Sequence, residues 1–61
     1  MPSREERKRL KEAAANHLAV AVLEMAHVVV MLGFNKRLRD SAIDIRLRLY
    51  GLYNRLQGVK L

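Results

Sequence analysis

The sequence predicts an all-α protein: an antiparallel two-helix hairpin, with a long first helix and a shorter second one, that completes its core by oligomerisation. Three observations lead there. Residues 18–32 read LAVAVLEMAHVVVML, interrupted only by Glu24 and His27. A helix so apolar around its circumference must be buried on nearly all sides. Gly33-Phe34-Asn35 is too short a corner for anything but an antiparallel return. Beyond it, Leu38, Ala42, Ile45, Leu49, Leu52, Leu56 and Val59 recur at spacings of four and three, the helix period. The chain is 61 residues long and has no Cys. Domains of that size bury only about 60% of their unfolded surface and lean on disulfides, metals or association. Disulfides and thiolate metal sites are excluded, so the missing cover has to come from other copies, another partner or a bilayer.

The elements follow in order within one domain, residues 1–61. Ser3-Arg4-Glu5-Glu6 is a capping box: the Ser3 hydroxyl can accept from the Glu6 N–H, and the Glu6 carboxylate can reach back. Glu5 and Glu6 also suit the positive end of the helix dipole. Helix 1 is expected over about 4–32, without Gly or Pro, a length of roughly 43 Å. Gly33 fits the left-handed position past a helix end, and Asn35 is a good N-cap for the next helix. The corner is therefore 33–35. Helix 2 is expected over about 36–57, ending near Gly58, with Asp40 or Ser41 as alternative N-caps. Ile43-Asp44-Ile45-Arg46-Leu47-Arg48-Leu49 alternates like a strand, but Leu and Arg are good helix formers and few of its residues are β-branched. Gly51, inside this helix, hints at close backbone approach.

Charge is unevenly placed. The net charge is +6; residues 1–33 carry five basic and four acidic side chains, residues 34–61 seven and two. A basic half can meet nucleic acid or anionic lipid, or simply keep an oligomer soluble. The N-terminus does not read as a signal peptide, because Asn16, His17, Glu24 and His27 break its apolar stretch and no small-residue cleavage site follows in a polar context. Residues 18–32 fall short of the roughly 20 apolar residues of a membrane span, and Glu24 would sit near the bilayer centre. No membrane partner is expected.

On a helical wheel, Ala15, Ala19, Val22, Ala26, Val29 and Gly33 form a stripe of small residues, which admits another helix closely. Ala14, Leu18, Ala21, Met25, Val28 and Leu32 form a bulkier stripe, and Leu23 and Val30 widen the apolar surface. Glu6, Arg9, Asn16, His17, Glu24 and His27 make the single polar line. Either stripe could face helix 2, leaving the other for a symmetry mate. On helix 2 the seam from Leu38 to Val59 is one face; Ile43, Leu47 and Tyr50 lie opposite. Arg39, Arg46 and Lys60 flank one edge of the seam, Arg48 and Arg55 the other. Two such seams face to face would bring like charges together, so the seam is expected on helix 1, with Ile43, Leu47 and Tyr50 as a second contact. Ala15, Ala19, Val22, Ala26, Val29, Ile43, Leu47 and Tyr50 are the expected interface residues. Two apolar sides per helix imply more than one interface per chain, which generates dihedral, cubic or filamentous assemblies.

Chemistry is sparse. Glu24-Met25-Ala26-His27 places a Glu and a His at i and i+3, the pair that di-iron bundles point inward. His17 lies two turns earlier on the same line, and Asp44 could add a carboxylate. A di-metal site needs more acids than this chain holds, so the pair reads better as part of a polar line facing solvent or a symmetry axis, where His17 or His27 of several chains could cluster around a metal. The helix 2 Arg residues with Tyr50 and Tyr53 could hold phosphates and stack bases, yet Arg lies on both edges of the seam and no nucleic-acid-binding module is visible. Asn16, Asn54, Tyr50 and Tyr53 could form a buried interface network, though rim positions suit them better. No nucleophile triad, phosphate loop or paired-carboxylate site is present, so no enzyme, cofactor or small-molecule substrate is expected.

Met1-Pro2-Ser3-Arg4-Glu5-Glu6-Arg7-Lys8-Arg9-Leu10-Lys11-Glu12, with its capping box and dense Glu, Arg and Lys before an Ala-rich segment, resembles the helix starts of computationally designed (de novo) proteins. The Gly33–Asn35 corner fits the same style. The resemblance implies a helical subunit of a designed homo-oligomer, of a ring, cage or capsid-like assembly. The expected function is thus structural self-assembly with copies of itself. The alternatives are a small basic nucleic-acid-binding dimer and a metal-binding bundle using Glu24 and His27.

Overall fold

The structure is a computed structural model that describes residues 2–60; Met1 and Leu61, the outermost residues of the expected domain, lie outside the described residues. Two helices account for nearly all of it: α1, Arg4–Met31, and α2, Lys36–Gln57, joined through a single 3-10 turn at Leu32–Phe34. The molecule is a rod of 47 × 16 × 15 Å. It is all-α and hairpin-shaped, as the periodicity and the short corner predict, and the alternating run 43–49 is helical.

Each helix end is closed by local chemistry. The Ser3 hydroxyl accepts from the Glu6 N–H at 3.2 Å, and the Ser3 carbonyl accepts from the Arg7 N–H at 2.9 Å. Among the described residues, the Glu6 carboxylate returns no bond to Ser3, so half of the expected box is formed. Asn35 caps α2: its side-chain oxygen accepts from the Leu38 N–H at 3.2 Å, which settles the start at Lys36 rather than beyond Asp40 or Ser41. Ser41 instead donates back to the Arg37 carbonyl at 3.1 Å. At the far end, the Gly58 N–H donates to the carbonyls of Asn54 and Arg55.

Gly33 departs from expectation. No glycine among the described residues has a positive φ. The chain leaves α1 by tightening into the 3-10 turn, and the Asn35 N–H closes it on the Leu32 carbonyl at 3.0 Å. Such tightening satisfies terminal carbonyls without a left-handed residue.

The helices run antiparallel, and Lys11 ties their open end. Its ammonium donates to the Val59 carbonyl at 2.8 Å and to the Gln57 carbonyl at 3.4 Å. A cation there satisfies the last carbonyls of α2 and complements its dipole. The first turns of α1, before Lys11, extend past the end of α2.

The seam itself is thin. Among the described residues only Ala15, Val22 and Ala42 are buried, and no large side chain is fully enclosed. Around them α1 offers Leu18, Met25, Val29 and Leu32, half-buried; α2 offers Arg39, Arg46, Leu49, Tyr53 and Leu56. Thus α2 docks between the two stripes of α1 and takes members of both. Its own contact line is also rotated. Ala42, Leu49 and Leu56 belong to the expected seam, but Leu38, Ile45, Leu52 and Val59 lie exposed beside it. Arg39, Arg46 and Tyr53 take their places, a turn of about 60° around the helix axis. Aliphatic arginine stems can cover apolar surface while the heads stay outside. Among the described residues the Nε atoms of both arginines are buried without a hydrogen-bond partner, that of Arg39 lying 3.9 Å from an Asp40 carboxylate oxygen, and the Arg46 guanidinium sits 5.4 Å from the Tyr50 ring centroid, a cation–π distance.

Gly51 is likewise not a point of close approach. A β-carbon added there meets nothing within 4 Å. It lies on the side of α2 turned away from α1, so its expected role against helix 1 is not found.

Candidate interaction surfaces

Two helices side by side make a layer with two broad faces, and the rotation of the seam decides what each face carries. On one side lie Ala14, Ala21 and Val28 of α1 with Leu38, Ile45, Leu52 and Val59 of α2. Each row repeats at seven residues, slightly less than two turns, so it stays on one side of its helix. The α2 members are each about half exposed; Ile45 is at 49%.

On the other side lie Ala19, Leu23, Ala26 and Val30 of α1 with Ile43, Leu47 and Tyr50 of α2. Small residues next to Leu23 leave a shallow apolar depression lined by Ala19, Val22, Leu23, Tyr50 and Tyr53. Leu23 is 65% exposed, Val30 80% and Leu47 63%.

The expected interface residues therefore separate into two groups. Ala15 and Val22 are buried inside the hairpin, with Ala26 and Val29 half-buried next to them. Ala19, Ile43, Leu47 and Tyr50 are exposed on the second face. Sequence reasoning did not separate Leu38, Ile45, Leu52 and Val59 from the intrachain seam. The signal that could have done so is their seven-residue recurrence beside the equally spaced Ala42, Leu49 and Leu56.

The polar line of α1 faces away from α2. Asn16, His17, Glu24 and His27 are exposed. Glu24 and His27 share a side, yet no three His, Cys, Asp or Glu side chains gather into a metal-binding group among the described residues. On α2, Arg48 pairs with Asp44 at 3.0 Å, one turn apart, and Arg55 leans on the Gly51 carbonyl at 3.4 Å. Exposed pairs of this kind contribute about 0.3–0.5 kcal/mol. Acidic residues thus break the outer basic side of α2. Asn16 and Asn54 are exposed, and no hydrogen bond joins them to Tyr50 or Tyr53 among the described residues.

The surface area measures how much is left open. The chain exposes 5153 Å². A compact monomer of 7.0 kDa exposes about 4,000 Å², so this one carries an excess of about 1,100 Å². The helix Arg4–Phe34 also contains an 18-residue window of mean hydropathy 1.9, of which 6% is buried; by length and composition alone it could cross a membrane. No family model, curated protein or solved structure matches the chain.

Proposed function

We propose that this chain is a structural subunit that self-assembles through the two open faces of its hairpin, with no catalytic activity of its own. The observation that carries this reading is the contrast between three small buried residues and a row of large exposed ones on both sides of the layer. Contiguous apolar surface of that extent marks an interaction site. Two unlike faces on one subunit let a copy bind two neighbours at once, and closed symmetry then gives a ring or a cage-like shell.

A bilayer is a poorer cover for these faces. With α2 packed along α1, inserting the apolar window would carry arginines and aspartates of α2 to the same depth. Each costs about 3 kcal/mol at the bilayer centre, and Arg39, Asp40, Asp44, Arg46 and Arg48 lie along the packed stretch. A second copy covers the same surface and leaves those charges wet.

The Leu47→Asp variant tests the reading. Leu47 is 63% exposed and lies outside the seam, so helicity by circular dichroism is expected to hold while the particle mass falls to a smaller folded unit. A mass unchanged from the parent chain would contradict a second interface.

A further inference from the structure

We infer that a second copy of this chain packs on the face built from Ala14, Ala21 and Val28 of α1 and Leu38, Ile45 and Leu52 of α2, with α1 of each copy lying over α2 of the other. The inference rests on the self-assembly reading above and adds which face is paired and in which orientation. The product is a four-helix bundle about a two-fold axis.

Size selects the orientation. The α1 row is small, with two alanines and a valine; the α2 row is bulky, with leucines and an isoleucine. Crossing them seats large side chains against small ones, as knobs enter holes. Stacking α2 on α2 would set bulky rows against each other, and α1 on α1 would leave the alanines facing a gap.

Charge selects the same orientation. Glu24 stands at the outer rim of this face on α1, and it is the only acid between Glu12 and Asp40. Arg48, which also pairs with Asp44 one turn earlier in its own helix, and Arg55 stand at the outer rim on α2. In the crossed arrangement the acidic rim of one copy meets the basic rim of the other, twice by symmetry. The uncrossed arrangements pair Glu24 with itself or the arginines with themselves, which is unfavourable.

Area permits such a pairing in either orientation. A stable interface buries about 800 Å² per partner, within the excess of about 1,100 Å² that the hairpin exposes over a compact monomer.

Charge reversal with the full chain tests the proposal by sedimentation equilibrium, with circular dichroism reporting helicity. Glu24→Arg and Arg48→Glu are each expected to weaken association by about tenfold across the two symmetric pairs, and the double variant to recover the parent value. Both positions are exposed; Arg48→Glu also replaces the Arg48–Asp44 pair by like charges one turn apart, a cost that helicity reports separately from association. Ile45→Glu, in the middle of the face, is expected to abolish this pairing. Singles without effect, or a double variant as weak as the singles combined, would overturn the orientation. An Ile45→Glu chain that stays helical and keeps its full mass would overturn the choice of face while leaving self-assembly standing. A parent chain that is monomeric at every concentration would remove the self-assembly reading itself, before any variant is compared.

Discussion

The ends of the two helices and their flanks are built to different degrees of completion. At the ends, terminal groups find partners within the chain: Ser3 and Asn35 cap the starts, the 3-10 turn closes the corner, and Lys11 and Gly58 satisfy the last carbonyls of α2. Along the flanks, Leu23, Val30, Leu38, Ile45, Leu47 and Leu52 remain exposed. Hydrogen bonding is local and can be completed by residues three or four apart. Burial is not local, and two helices cannot surround one another. The difference teaches that local bonds close this hairpin at its ends, whereas among the described residues only three small side chains are buried along its length.

The largest break in that comparison is expected inside the seam. Ala42 is the most buried of the described residues. Ala42→Arg forces a long cation between the helices, and a loss of about 3 kcal/mol is expected from overpacking and a buried charge, read as loss of helicity and of assembly together. Ala19 offers the control. It lies outside the seam, so Ala19→Arg is expected to disturb association while leaving the hairpin's helicity, rather than unfold the chain.

Smaller effects probe the ends. Asn35→Ala removes the cap of α2 and is expected to cost about 1 kcal/mol in urea unfolding, with particle mass unchanged at low denaturant. Gly51→Ala goes the other way. A β-carbon at Gly51 meets only open space, so the substitution is expected to stabilise α2 by about 0.5–1 kcal/mol. Destabilisation there would mean that a neighbouring copy approaches the glycine closely.

The ends were also the more legible part of the sequence. Ser3 and Asn35 announce themselves by residue type and spacing, and the helices fall at Arg4–Met31 and Lys36–Gln57, within a residue of expectation. Gly33 misled because a glycine past a helix end commonly takes the left-handed conformation, whereas this corner tightens instead. The facing of the helices was less legible. An α1 apolar almost all round imposes no angular preference, and a wheel scores Arg39, Arg46 and Tyr53 as polar although their stems and ring pack well. The apolar centre of α2 therefore pointed about 60° away from its true contact. Of the candidate chemistry, Glu24 and His27 do share a side, but that side looks outward.

The native mass of the parent chain, by light scattering after size exclusion at low salt and at about 1 M salt, is the direct measure of whether the open flanks are filled by copies. Apolar association persists when charges are screened. A discrete mass of many subunits at both salt concentrations is the expected result; a monomer at both would contradict self-assembly outright.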